Sequence, residues 1–511
     1  MRFYFALSAA LLFAFASAYA KSQLISGESA ISGRSAAAAV VRLADRSYAG
    51  RLTGHQGYTD AARWTLARFQ EMGLRGTLQP YPSPYSIVDS ARMVVTLHDE
   101  KLSAEILTDF LPLLFSESGQ VKTRAVFVGW GIHAPELGYN DYANVDVKGK
   151  FVLCFRGTPG DDQRWVYHDE HRTRMRVALE RGAVGLIYVY PRVIAHPNGD
   201  LQPNFLAAMI SEAFFDRLLT VEGTTSAALQ RQLVETGRPA SIFLDAVIDL
   251  TVKARHFPKG EGYNVVAWLY GADPGFKHEA VVIGAHLDGV GDHAGKRFPG
   301  AEDNASGSAV VMEIAKAFMA NSIQPKRSVV FVLFGSEEQG GRGSKHFISR
   351  LPPGLAKISS FINLDMVGIG SRANVGINEY MEELIAKPPA LPEMRAPDAR
   401  FQELSNQSAT FSGGFAITSE QYKNLLEKSD KNLSVISSVS VIKSLGVRSG
   451  DIAPFFKKNI PLATVSSSGL RPETLYHQPG DLPSLVQPEI MENIAKLMFR
   501  FAFELCDIAF L

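Results

Sequence analysis

The chain reads as an α/β protein with a mostly parallel central sheet flanked by helices and a smaller α/β unit inserted into it. Three observations predict this. Apolar strand-like runs alternate with helical stretches from about residue 256 to the end. Polar residues able to ligate metal follow the C-terminal ends of several of these runs, where open α/β sheets bind ligands. Between about 116 and 255 the texture changes, and a separate set of strands and helices appears. At 511 residues the chain is too long for one ordinary domain. The expected division is a leader over 1–20, the first part of the main domain over 21–115, the insert over 116–255 and the rest of the main domain over 256–511.

The elements follow in order. Met1-Arg2, the apolar run Tyr4 to Phe15 and the small-x-small Ala18-Tyr19-Ala20 form a secretory leader, which predicts a secreted or periplasmic protein. The leader is too short to span a bilayer and no later run approaches that length, so no stable membrane insertion is expected once it is removed. Residues 36–76 look helical, with Ala62, Leu66 and Phe69 on one face and Gly73 as the stop. Strands are expected at 91–98, 125–129, 150–156 and 184–189, with helices at 171–181 and 211–220. A strand over Tyr263 to Leu269 opens the second half. Helices over 305–320, 340–350, Gln421 to Leu426 and 488–505 and a strand over Ile460 to Val465 complete it. The stretch 371–446, with Pro388, Pro389, Pro392 and Pro397, is the least regular and is expected to make excursions over the active-site face.

Composition excludes some classes of partner. Lys and Arg together number 52, matching the 52 Asp and Glu, so the chain has no net field and no nucleic-acid footprint. Only Cys154 and Cys506 occur. They fall in different predicted units and read as small buried hydrophobes rather than a bridge.

The chemistry is concentrated in five segments. The run Glu279 to Ala285 leads into His286-Leu287-Asp288. Gly300-Ala301-Glu302-Asp303-Asn304-Ala305-Ser306-Gly307 follows. Ser328 to Gly335 ends at Glu337-Glu338, Ser359 to Leu364 ends at Asp365, and Tyr476-His477 lies far downstream. Two His, two Asp and a Glu, without a thiolate, make a nitrogen-and-oxygen set suited to catalytic zinc. Two zinc ions would bring four positive charges against the three of Asp303, Glu338 and Asp365, leaving a bridging hydroxide to balance the remainder. Glu337 and Glu338 are adjacent, so one can ligate while the other faces the attacking water as a general base. Asp288, two residues after His286, could hold the other imidazole N–H. Each element alone has an ordinary reading: Asp303-Asn304 as a helix cap, Glu337-Glu338 as a solvated pair, Asp365 as a turn residue. The order of all five is what argues for a site.

These strings, together with Asn363-Leu364-Asp365-Met366-Val367-Gly368, resemble the M28 family of co-catalytic zinc peptidases, which are mostly aminopeptidases. The resemblance covers nearly the whole chain after the leader. Tyr58 to Leu74 is similar to the family's N-terminal helix, and Val126 to Pro159 resembles the protease-associated (PA) domain inserted in many members. It implies a zinc exopeptidase fold with two Zn2+ per chain: one held by His286, Asp303 and Asp365, the other by Asp303, Glu338 and His477, with Asp303 bridging. It further implies that Glu337 is the base, that Asp288 orients His286, that Tyr476 steadies the oxyanion and that the Asp303–Asn304 peptide is cis. Two positions depart from the family pattern. Gly450-Asp451-Ile452-Ala453-Pro454-Phe455 stands where Ser-Asp-His is common, and Glu302 stands where Asp is common. The expected activity is hydrolysis of N-terminal residues from peptides through a metal-bound hydroxide. A carboxypeptidase or deacylase on the same scaffold is the alternative, with Arg342 and Arg448 as candidate carboxylate clamps. A single-zinc cyclotransferase and a non-catalytic binding relative are less favoured.

Overall fold

The computed structural model describes residues 26–160, 163–197, 199–378, 419–442, 450–468 and 475–508. The leader expected over 1–20, the four prolines of the irregular stretch and Arg448 lie outside these residues. Among the described residues no helix is long and apolar enough to cross a membrane.

The main sheet contains β1 (Arg75–Pro82), β2 (Glu261–Leu269), β3 (Glu279–His286), β4 (Ser328–Phe334), β5 (Lys357–Leu364), β6 (Arg372–Asn378), β7 (Ile436–Ile442) and β8 (Leu462–Ser468). Their spatial order is β1-β2-β4-β3-β5-β8-β6-β7. The centre, β4-β3-β5-β8, is parallel throughout. Antiparallel pairings of β1 with β2, β2 with β4 and β6 with β8 flank it.

Both faces of the central strands are covered, which is why they read as continuous apolar runs rather than alternating ones. Val281, Ile283 and Ala285 of β3, with Val329, Phe331 and Leu333 of β4, face one core. Helices α1 (Gly33–Leu43), α2 (Gln56–Glu71), α3 (Gly307–Ala320), α4 (Ser419–Asp430) and α5 (Pro488–Asp507) contribute buried residues to that core. The intervening Val282, Val330, Val332 and Phe334 face a second core with Phe347, Phe361 and Phe455. There the Phe361 and Phe455 rings stack at 3.8 Å. Helix α5 starts with Pro at its first turn, where the missing N–H is no loss. It buries Ile494, Leu497, Met498, Phe501 and Leu505 at helical spacing. Each such side chain contributes about 1.5–3 kcal/mol when fully buried.

The helix expected over 36–76 is two helices, α1 and α2. Between them Arg46–Arg51 forms a tight turn in which Ala49, Gly50 and Arg51 all have positive φ. Gly50 is required there because a Cβ would lie 2.7 Å from the carbonyl carbon of Gly291. Strand β1 was not expected. Its two prolines and largely exposed pattern suit an edge strand.

A second sheet is built from Tyr85–Leu97, Gly119–Val128, Phe151–Phe155, Gly185–Tyr190, Leu206–Ser211 and Ser241–Phe257, with short strands at Glu100–Ser103 and Phe110–Pro112 on its edges. Tyr85–Leu97 belongs to this sheet although it lies upstream of the boundary expected at 116. The 17-residue strand Ser241–Phe257 pairs antiparallel with both Tyr85–Leu97 and Gly119–Val128. Cys154 and Cys506 are free and buried.

Candidate metal centre

The parallel strands deliver three of the five candidate ligands. His286 is the last residue of β3, Asp365 immediately follows β5, and Glu337 and Glu338 follow β4 across a turn at Gly335-Ser336. Asp303 sits in the turn Ala301–Ser306 that enters α3, and its peptide bond to Asn304 is cis. His477 comes from the loop before α5.

All five side chains converge. His286 Nε2 lies 3.2 Å from Asp303 Oδ1 and 3.5 Å from Asp365 Oδ1. His477 Nε2 lies 3.3 Å from Asp303 Oδ2 and 2.9 Å from Glu338 Oε2. The two oxygens of Asp303 therefore face two different imidazoles. Ligand atoms of His286, Asp303 and Asp365 lie within 4.8 Å of one another, and so do those of Asp303, Glu338 and His477. Glu337 forms a third such group with His286 and Glu338. Tyr476 stacks on His477 with ring centroids 3.7 Å apart and is 38% exposed, so it forms part of the open rim of the centre.

The support around these groups differs from expectation at one point. The backbone carbonyl of Asp288, rather than its carboxylate, is the atom at hydrogen-bond distance from His286 Nδ1, 3.0 Å away. The Asp288 carboxylate instead accepts the backbone N–H groups of Glu337 and Glu338, at 3.2 and 3.3 Å. Ser336 also ties Glu337 to the N-terminal segment. Its N–H donates to Thr53 Oγ1 at 2.8 Å, and its hydroxyl lies 2.8 Å from Ser83 Oγ and accepts from Tyr81.

Carboxylates crowd the centre. Burial raises Asp288 to about 8, Asp451 and Glu302 to about 7 and Asp481 to about 6. Burial, reinforced by Glu338, Asp451 and Asp365, also holds Glu337 well above its ordinary range. Asp303 goes the other way: burial opposes its charge, yet the two imidazoles beside it hold it below the usual carboxylate range. For His286 and His477 burial alone would lower the pKa, and their carboxylate partners hold both well above the ordinary value. Asp303 Oδ2 and Asp365 Oδ1 are buried and accept no hydrogen bond. Unsatisfied carboxylate oxygens beside imidazole nitrogens, with an excess of negative charge and no thiolate, fit a hard-to-borderline divalent cation at each three-residue group.

Arg51 and Asp481, to which sequence reasoning gave no role, hold this arrangement, and Asp451 lies against it. Arg51 is fully buried, and its guanidinium donates to the carbonyls of Leu287, Leu43, Pro299 and Gly300 at 2.8, 2.8, 2.7 and 2.6 Å. It thereby ties the His286–Asp288 corner to the approach to Asp303. Asp481 accepts the backbone N–H groups of Glu302 and Asp303 at 2.7 and 3.0 Å. Asp451 is buried beside Glu337, and neither of its oxygens accepts a hydrogen bond. Glycine at 450 keeps that approach open, since a Cβ there would lie 3.1 Å from Glu337 Oε1. Glu302, outside the candidate ligand set, accepts the N–H groups of Gly368 and Ile369 and so pins the loop after Asp365.

Residues 264–391 match the model of peptidase family M28. The match spans about a quarter of the chain and includes His286, Asp303, Glu337, Glu338 and Asp365. An aminopeptidase of Pseudomonas aeruginosa (strain UCBPP-PA14) is 28% identical to this chain over 342 residues, which cover 64% of the chain and 55% of the relative. Aminopeptidase YwaD of Bacillus subtilis (strain 168) is 33% identical over 258 residues, covering 50% of the chain and 48% of the relative. The chain thus spans about half the length of these curated relatives. The solved aminopeptidase from Aneurinibacillus sp. strain AM-1 superimposes with a TM-score of 0.64 at 18% identity, covering 94% of this chain and 95% of that one. At that identity the likeness is one of fold.

Proposed function

We propose that this chain is an exported zinc aminopeptidase of the M28 family with a co-catalytic metal pair. The observation that carries the reading is the division of Asp303, whose Oδ1 faces His286 and whose Oδ2 faces His477. His286, Asp303 and Asp365 would hold one zinc, and Asp303, Glu338 and His477 would hold the other. Zinc, when bound, acidifies a coordinated water and polarises the scissile carbonyl. The chain's own residues supply the rest. Glu337, fixed by its backbone N–H on Asp288, takes the proton of the attacking water and returns it to the leaving amine. Asp288 positions His286 through its carbonyl and the Glu337-Glu338 pair through its carboxylate. The hydroxyl of Tyr476 steadies the oxyanion. A free α-ammonium group would be drawn to the carboxyls of Glu337, Asp365 and Asp451 and would favour their ionised forms, which selects the amino end of a peptide. The second sheet is read as the PA-type insert, and residues 1–20 as the removed leader.

Amino-terminal preference is tested with a panel of aminoacyl chromogenic amides, each beside its N-acetylated form. The free amines should turn over and the blocked ones should not; equal rates on both would refute the assignment. Arg342 lines a cavity of about 310 Å³ with Tyr85, Phe115 and His256, and this favours carboxylate capture as the second reading. Hydrolysis confined to C-terminal residues of the same peptides would establish it instead.

A further inference from the structure

The loop that carries His477 is fastened from two directions. On one side Asp481 grips the Glu302 and Asp303 amides. On the other side the fastening comes from residues 193–195, which follow the Gly185–Tyr190 strand of the second sheet. Ala195 N–H donates to the His477 carbonyl at 3.2 Å, and the Ala195 carbonyl lies 2.7 Å from His477 Nδ1. Gln478 Nε2 donates to the Val193 carbonyl at 2.5 Å. A carbonyl oxygen only accepts, so Nδ1 must carry the proton. That leaves Nε2, which faces Asp303 and Glu338, as the nitrogen able to give up its proton and ligate a metal. His286 receives the equivalent support from its own corner, through Asp288. The two candidate metal positions therefore differ: one is oriented within the main sheet, the other across the seam between the two sheets.

We propose that residues 193–195 act as a positioning element for His477, so that zinc at the Asp303, Glu338 and His477 position binds tightly only while the second sheet is docked. The proposal rests on the metal-pair reading above. It gives the inserted unit a role in metal retention, through the backbone rather than through a ligand of its own.

The test is competitive zinc titration of the stripped full-length protein against a chromophoric chelator, using the parent, Ala195→Pro and Gln478→Ala, each checked for native circular dichroism. The parent should take up two equivalents. Ala195→Pro removes the N–H that holds the His477 backbone, and Gln478→Ala removes the neighbouring clamp. Both changes loosen the segment whose Ala195 carbonyl holds His477 Nδ1, and loss of such an outer contact to a metal-bound imidazole costs about 10–100-fold in metal affinity. Each variant should therefore bind one equivalent as the parent does and the other at least about tenfold more weakly. If Ala195→Pro does not fold, Gln478→Ala decides alone. Parental affinity for both equivalents in every folded variant would overturn the proposal, because contacts that only dock the sheet would lower thermal stability and leave zinc binding unchanged. Fewer than two equivalents on the parent would overturn the metal-pair reading itself, and this proposal with it.

Discussion

Replacing Arg51 with methionine removes the cation behind the centre at nearly constant side-chain volume. The parent guanidinium donates to four backbone carbonyls, at 2.8, 2.8, 2.7 and 2.6 Å. Gly300 O keeps a second donor, the Ala305 N–H at 3.2 Å, so the loss falls mainly on Leu287, Leu43 and Pro299. A buried acceptor deprived of its donor costs about 1–3 kcal/mol. Part of that sum is recovered because a fully buried charge no longer has to be desolvated. The balance is about 4 kcal/mol, a large share of the 5–15 kcal/mol or so that holds typical domains folded. Urea unfolding of the zinc-free protein, followed by tryptophan fluorescence, measures it. Arg51→Lys should fall between the parent and the methionine variant, because an ammonium cannot span the same fork of acceptors. An Arg51→Met protein within about 1 kcal/mol of the parent would refute the claim that this side chain organises the floor of the centre.

Glu337→Gln should retain bound zinc while kcat falls by about 10²–10⁴, the usual worth of a positioned acid–base group; near-normal kcat would remove Glu337 from that role. Stripping zinc should abolish hydrolysis and lower the melting temperature, with both restored on readdition, since zinc at about a thousand times its Kd stabilises by about 4 kcal/mol. In the second sheet, burial raises Asp141 from 3.8 to about 7. The folded state therefore keeps a proton that the unfolded chain has released. The Asp141 contribution to stability is fully present below about pH 4 and declines as pH rises to about 7, by up to about 4 kcal/mol. Asp141→Asn should flatten that decline and melt higher than the parent at pH 8, whereas an unchanged pH slope would show that Asp141 ionises normally.

Much of the centre was visible in one dimension because parallel strands translate sequence position into spatial position. His286, Glu337, Glu338 and Asp365 each follow an apolar run, and adjacent parallel strands end on the same side of a sheet. Asp303 was legible as the polar entry to a helix and His477 as a fifth ligand type far downstream. Arg51 gave no signal, because its partners are backbone carbonyls up to 249 positions away. The actual role of the Asp288 carboxylate was hidden for the same reason: its partners belong to another strand. Strand Ser241–Phe257 was missed as a single element because its length and bulged register depend on two neighbours at once.

The hydroxyl cluster beneath Glu337 has a practical consequence for anyone trimming this protein. A recombinant piece beginning at Glu261 would carry all five candidate ligands and the whole parallel centre of the sheet. It would lack Thr53, Tyr81 and Ser83, which seat Ser336, and the edge strand that covers β2. Minimal versions should therefore retain the N-terminal segment through Ser83 as well as the second-sheet residues that hold the His477 loop.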